Sequence, residues 1–166
     1  LRTLLVLLLL LLSRMAFASL ALVQDGTLQL ASPAHGSQKP PAAVRFVLED
    51  QSFDADRMLA PEQDALWQSL PRKGLNFGML DQAVWLRFNV HNPSAQAGRW
   101  LLVIPWSQLN RIEFSVRQGD GRWSEQFEAG YDVHYSRRYG QHRLFQFPLA
   151  LAADEQATVL IRVEAK

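Results

Sequence analysis

The sequence predicts an all-β protein: an antiparallel, jelly-roll-like β-sandwich of about eight strands with one short helix, preceded by a signal peptide. Three observations lead to this class. After residue 43, apolar runs of four to eight residues alternate with turn-forming residues. In the clearest run, residues 83–91, apolar and polar side chains alternate, as they do in a strand with one buried face. The 166 residues are enough for one domain with its own core.

The chain opens with an apolar leader. Arg2 supplies a positive charge, and the apolar run at residues 4–12 is shorter than the roughly 20 residues that span a bilayer. Ala16-Phe17-Ala18 fits the small-x-small pattern of signal peptidase sites. We therefore expect residues 1–18 to be a secretory signal peptide that is cleaved after Ala18, with Ala21 as the second choice.

An uncleaved membrane anchor is the alternative for the leader. It would place Arg14 within the bilayer, where a charge costs a few kcal/mol, so cleavage is favoured. Residues 19–42 are rich in Gly, Pro, Ser and Gln, which predicts a flexible linker. Residues 43–166 are then the sandwich domain, and the signal peptide predicts that it is exported to the periplasm.

The strands of the domain follow from these runs. We predict them at residues 44–50, 75–79, 83–91, 99–106, 111–117, 122–127, 143–149 and 158–163. Pro61 suits the first turn of a helix, so the short helix is placed at residues 61–67. Gly78 predicts a turn or bulge, and Gln118-Gly119-Asp120-Gly121 predicts a hairpin turn. A long loop at residues 129–141 carries three tyrosines.

Composition excludes several classes of function. The absence of cysteine rules out disulfides, thiolate catalysis and Cys-ligated zinc. The net charge is +1, and without Arg2 and Arg14 the remaining 15 basic and 16 acidic residues give −1. Such a balance lacks the basic surface that nucleic acid requires, so no nucleic-acid partner is expected.

No catalytic or cofactor motif is present in the sequence. It contains no nucleophile elbow, zinc-protease motif, P-loop or dinucleotide fingerprint, and its four histidines lack ligand-like spacing. We expect no enzyme activity, no cofactor and no metal. Glu113 and Glu125 could face each other across the hairpin as a glycosidase pair, but acids on exposed strand faces are usually only solvated.

A surface for ligand binding is the remaining hypothesis. Trp85, Arg87 and Asn89 share the face of residues 83–91 opposite the apolar set, and this face is expected to adjoin Arg111 and Glu113. Aromatic rings beside Arg, Asn and acids suit a carbohydrate, whose C–H faces stack on rings and whose hydroxyls take the polar groups. The loop adds three further candidates, Tyr131, Arg137 and Arg138.

Each of these residues also has a structural interpretation. Trp85 would be a packing residue if the helix or a loop covered it, and Arg87 would then make an internal ion pair. Trp100 and Trp106 are expected to be packing residues or strand-end residues. The loop residues could simply be solvated.

Several segments together resemble one known family. They are Val44-Arg45-Phe46-Val47-Leu48-Glu49-Asp50, Asn76-Phe77-Gly78, Val84-Trp85-Leu86-Arg87-Phe88, Asn92-Pro93, Trp100-Leu101-Leu102-Val103, Leu109-Asn110-Arg111-Ile112-Glu113-Phe114, Gly130, Arg137-Arg138, Phe145-Gln146-Phe147-Pro148-Leu149 and Leu160-Ile161-Arg162-Val163. In order and spacing they resemble the extracellular sensor domain, of the DISMED2 type, of bacterial 7TMR-DISM receptors. The resemblance spans roughly residues 44–163.

The resemblance implies a jelly-roll-like sandwich similar to carbohydrate-binding modules. In that family it precedes seven transmembrane helices and a cytoplasmic output domain. The expected function is therefore ligand sensing, of a small molecule or glycan, by a receptor of the inner membrane. Further partners would be another receptor's periplasmic domain or a second copy of the chain. The sequence given would then be a fragment that lacks the membrane and output regions; a free periplasmic carbohydrate-binding or adhesion protein is the alternative.

Overall fold

The computed structural model of the protein describes residues 23–24, 26–30, 43–50, 52–71, 74–78, 80–124, 126–140 and 142–165. The predicted signal peptide, both predicted cleavage sites and most of the predicted linker lie outside these residues. Glu125, named above as a possible partner of Glu113, also lies outside them.

Strands dominate the described part of the chain. They are β1 (Val23–Gln24), β2 (Thr27–Gln29), β3 (Arg45–Leu48), β4 (Gln68–Ser69), β5 (Val84–His91), β6 (Gly98–Ile104), β7 (Arg111–Gln118), β8 (Phe127–Ala129), β9 (Phe145–Leu151) and β10 (Gln156–Glu164). This confirms a mainly β protein with antiparallel sheets; the jelly-roll arrangement stays a prediction.

Helical structure is short and lies mainly between β3 and β4. Helix α1 covers Ala55–Met58, and the Asp54 side chain caps it by accepting a hydrogen bond from the Arg57 backbone N–H. A 3-10 helix follows at Pro61–Leu66, with Pro at its first turn as the sequence predicts. A second 3-10 turn, Tyr135–Arg137, lies in the tyrosine loop.

The strands form two sheets. The large sheet has the order β1-β2-β5-β10-β7-β8, and β3 joins it by pairing with both β5 and β4. Its pairings are antiparallel except for β2 with β5. The smaller sheet consists of β6 and β9, paired antiparallel. In the large sheet β10 lies between β5 and β7, which decides which polar side chains become neighbours.

The two sheets pack face to face across the main core. The inward set of β5 is apolar, and Phe88 and Val90 are buried there with side chains of β7, β9 and β10. The rings of Phe114 on β7 and Phe147 on β9 stack with centroids 5.0 Å apart. Burial of such apolar surface is the main favourable term for the fold.

A second, smaller core lies on the outer face of the large sheet, which is the face turned away from β6 and β9. It comprises Val47, Met58, Trp67, Trp85 and Leu160, all buried. The segment with α1 and the 3-10 helix folds over this face, and the Trp67 indole N–H donates to the Met58 carbonyl at 3.2 Å. Part of the face that the sequence predicts to be open to solvent is therefore covered.

Most predicted strands appear within two residues of their expected positions, but three regions differ. The prediction of a strand at residues 75–79 is wrong, because the described residues 74–78 contain a turn and no strand. The return strand after the hairpin is reduced to an isolated bridge between Arg117 and Trp123, followed by β8. Within the predicted linker, β1 and β2 are strands, and Leu30 is buried in the main core. The hairpin turn itself forms as predicted, with Gly121 N–H donating to the Gln118 carbonyl at 2.9 Å.

Candidate functional site

An open cleft of about 1000 Å³ lies on the outer face of the large sheet. We call it the outer-face cleft. Its polar lining consists of Arg45, Asp56, Asp64, Arg87, Asn89, Arg117 and Thr158. Its volume is at the upper end of the range of small-molecule sites.

The floor of the outer-face cleft is a row of directly paired residues from three strands. Asn89 on β5 pairs with Thr158 on β10, and Thr158 pairs with Arg117 on β7. The Thr158 hydroxyl donates to the Asn89 side-chain oxygen at 3.0 Å. One pairing row away, Arg87 pairs with Arg45 on β3. Strand alternation places all these side chains on the same face.

Residues 56–64 form one wall of the cleft, and two contacts tie this wall to the sheet. The Arg87 guanidinium donates to the Asp64 carboxylate at 2.9 Å and lies over the Trp67 ring, 4.6 Å from its centroid. At the other end, the Trp123 indole N–H donates to Asp56 at 2.8 Å. The wall is therefore held by polar contacts that a ligand in the cleft could reach.

Trp85 lies in the smaller core and is only 3% exposed. This corrects the expectation that Trp85 faces solvent as a stacking platform, because residues 53–67 cover it. Its indole N–H has no hydrogen-bond partner among the described residues. Of the three β5 candidates, the structure thus brings Arg87 and Asn89 into the cleft and leaves Trp85 in the smaller core.

Arg111 and Glu113 lie elsewhere on the outer face, in a ladder of ion pairs. Glu113 and Glu128 are directly paired across β7 and β8, and like charges in this position repel. Arg111 offsets the repulsion by contacting Glu113 at 3.0 Å and Glu128 at 2.7 Å. Arg137 extends the ladder by contacting Glu128 at 3.1 Å. The two arginines are therefore engaged within the protein.

Arg162 on β10 is the centre of the same charge network. It contacts the carboxylates of Glu49 at 2.6 Å, Glu113 at 3.5 Å and Glu164 at 2.5 Å. Burial alone would lower the pKa of the Arg162 guanidinium, but the hydrogen bonds to Glu49 and Glu164 and the nearby negative charges raise it above its ordinary value. A smaller depression of about 330 Å³ adjoins Arg162 and Glu49.

The tyrosine loop is fixed by Arg138. Its guanidinium donates to the backbone carbonyl of Gly130 at 2.6 Å and to that of Val133 at 3.1 Å. Arg138 is therefore a structural residue of the loop. Tyr131, by contrast, is 78% exposed.

The structure thus divides the eight candidates instead of gathering them in one groove. The reason is that β10 separates β5 from β7, so Arg162 stands between Trp85 and Glu113 in the pairing register. Sequence reasoning missed Arg45, Arg117 and Thr158. Each lies on the polar side of a predicted strand, but only the strand order shows that they share a cleft with Arg87.

In the described part of the chain, no group of three or more His, Asp or Glu side chains could hold a metal ion. No helix in that part has the length and apolar character needed to cross a membrane.

Comparison with known proteins identifies a family. The model of the family described as 7TMR-DISM extracellular 2 matches residues 44–166. No curated protein and no solved structure matches the chain. The matched range contains β3 to β10, and therefore most of the outer-face cleft.

Proposed function

The chain belongs to the 7TMR-DISM extracellular 2 family, and from this membership we propose that it senses a ligand for a membrane signalling receptor, with the outer-face cleft as the ligand site. The family places the domain outside the cytoplasm. The single observation that supports the site is the cleft itself, because it is the larger of the two described depressions and carries polar groups from four strands and a helical wall.

Sensing requires that a ligand bind two receptor arrangements with unequal affinity, and so shift their populations. The wall at residues 56–64 is suited to this role, since it is tied to the floor by the Arg87–Asp64 and Trp123–Asp56 contacts. A ligand that competes for Arg87 would change how this wall is held. The proposed role is binding, without catalysis.

We further propose that a seven-helix membrane region and an output domain follow Lys166 in the same reading frame. The mature domain would then lie in the periplasm and the receptor in the inner membrane. A second copy, or another receptor's periplasmic domain, is the proposed protein partner. Sequencing the gene past Lys166 tests this: hydrophobic spans are expected, and a stop codon there would favour a free periplasmic binding protein.

The binding site is tested by filling the cleft. Thr158→Phe places a ring on the cleft floor, whereas Gln156→Phe places the same ring on the same face of β10, outside the cleft lining. We expect solutes from a library of neutral and acidic mono- and disaccharides to raise the melting temperature of the full chain and of Gln156→Phe. The same solutes should leave the melting temperature of Thr158→Phe unchanged. Equal binding to both variants, or no binding of any library member to the wild type, would contradict the site.

A further inference from the structure

The arginines of the outer face fall into two groups. Arg87, Arg111 and Arg162 each contact at least one carboxylate. Arg45 and Arg117 make no ion pair with any described residue, and both line the outer-face cleft. The two strand arginines of this face without a carboxylate partner among the described residues therefore both line the cleft.

The contacts of Arg117 leave its charge available. Its guanidinium lies 5.6 Å from the centroid of the Trp123 ring, an attraction that holds a cation without neutralising it. Arg45 is exposed and pairs with Arg87 on β5. The cleft's two carboxylates are already occupied, Asp64 by Arg87 and Asp56 by the Trp123 indole. With three arginines and two aspartates, the lining carries a net charge of +1.

Neutral polar groups lie between the two arginines. Since Asn89 accepts the Thr158 hydroxyl through its side-chain oxygen, its amide N–H groups have no partner among the described residues. The Thr158 oxygen can still accept a hydrogen bond. These groups suit hydroxyls of a ligand. In contrast, the only aromatic residue that lines the cleft in the described part of the chain is Phe88, which is buried.

The lining therefore lacks an exposed ring on which a neutral sugar could stack. The groups that the lining offers for recognition are therefore charges and hydrogen-bonding groups. Arginine is well suited to this, because its planar fork matches a carboxylate or sulfate oxygen pair.

The spacing of the strands sets the distance between the backbones of the two arginines. Arg45 and Arg117 are on β3 and β7, with β5 and β10 between them, so their backbones are about 14 Å apart across the sheet. Two or three linked sugar rings can span that separation and contact both side chains.

We propose that the outer-face cleft binds an anionic saccharide of two or three rings, whose carboxylate or sulfate groups pair with Arg45 and Arg117 while Asn89 and Thr158 take its hydroxyls. The proposal rests on the proposed function of the cleft as a ligand site. It adds that the ligand carries negative charge.

The test is calorimetric titration of the full chain with three probes: digalacturonate, its dimethyl ester and a sulfated disaccharide. The ester keeps the rings and removes the charge. We expect at least one acidic probe to bind, and its binding to weaken as the salt concentration rises. If the cleft prefers a carboxylate, the ester should bind about tenfold or more weakly than digalacturonate. Preference between digalacturonate and the sulfated probe identifies which anion the cleft takes.

The matched variants are Arg45→Gln/Arg117→Gln and, as control, Arg99→Gln/Arg143→Gln. The control removes two exposed arginines that make no ion pair with any described residue and lie outside the cleft lining, so the change in net charge is the same. We expect the first pair to weaken binding of the acidic probe about tenfold or more and the control less than about twofold.

Several outcomes would overturn the anionic class. They are equal binding of a neutral saccharide and its acidic counterpart, full binding by Arg45→Gln/Arg117→Gln, and no binding of either acidic probe. The probe comparison and the salt series use only the wild type, so they decide the matter even if the double variant fails to fold. Binding of neutral saccharides alone in the cleft would leave the proposed function standing and remove only this inference.

Discussion

Arg162 on β10 donates two hydrogen bonds to one oxygen of Glu49, at 2.6 and 2.8 Å, across 113 residues of sequence. The Glu49 side chain is 6% exposed and that of Arg162 is 15% exposed. The pair joins the chain just after β3 to the last strand, and both partners are largely removed from water.

We expect Glu49→Gln to lower the free energy of unfolding by about 2 kcal/mol or more, because a buried guanidinium loses its main counter-charge. Urea denaturation measures this. Asp64→Asn is the control, since the Asp64 side chain is 62% exposed and its pair with Arg87 should contribute about 1 kcal/mol or less. Equal losses in the two variants would show that burial does not set the strength of the Glu49–Arg162 pair.

Substitutions of Trp85 separate the contribution of packing to stability from that of hydrogen bonding. Because its buried N–H has no partner among the described residues, Trp85→Phe loses no hydrogen bond there, and we expect a cost of about 1–2 kcal/mol. Trp85→Ala should cost about 3–5 kcal/mol through the cavity it leaves in the smaller core. Thermal and urea unfolding measure both. A Trp85→Ala variant with near-normal stability would show that Trp85 is not packed in the smaller core.

Trp67→Phe is the matched comparison for Trp85→Phe. Trp67 lies in the same core, but its indole N–H donates to the Met58 carbonyl and its ring contacts Arg87. We expect Trp67→Phe to be more destabilising than Trp85→Phe by about 1 kcal/mol or more. If Trp85→Phe were the more destabilising variant, the hydrogen bond from Trp67 to Met58 would not be the contribution that distinguishes the two tryptophans.

Arg137 and Arg138 should behave differently although they are adjacent. Arg138→Ala removes the donor that holds the Gly130 and Val133 carbonyls, so we expect faster proteolysis in the tyrosine loop and a loss of about 2 kcal/mol. Arg137→Ala removes a side chain that is 68% exposed and should cost less than about 1 kcal/mol. Limited proteolysis followed by mass spectrometry tests the loop directly, and similar cleavage in both variants would contradict the role of Arg138.

Gly130 adopts φ +129°, and a Cβ there would lie 2.2 Å from the Asn110 carbonyl oxygen. We expect Gly130→Ala to destabilise the protein by about 3 kcal/mol or more, since backbone would have to move. Gly78→Ala is the control, because Gly78 has φ +72° but open space around it, and should cost only the conformational strain of about 1–2 kcal/mol. Comparable melting temperatures of Gly130→Ala and Gly78→Ala would mean that the backbone near Asn110 moves at little cost in free energy.

The positions and faces of most strands of the domain follow from the sequence alone, although the strands predicted at residues 75–79 and 122–127 do not form as predicted. Alternation along β5 correctly assigns Phe88 and Val90 to the main core and Arg87 and Asn89 to the opposite face. This succeeds because side-chain direction in a strand depends on the local backbone, which repeats every two residues.

Only the tertiary structure decides which of these faces meet. The placement of β10 between β5 and β7 puts Arg162 beside Glu113 and sends Arg111 into an ion-pair ladder, away from Arg87. The same strand order brings Arg45 and Arg117 to one cleft, while the segment over the outer face buries Trp85. Strand order and the covering of a face depend on contacts between residues far apart in the chain, and alternation carries no information about such contacts.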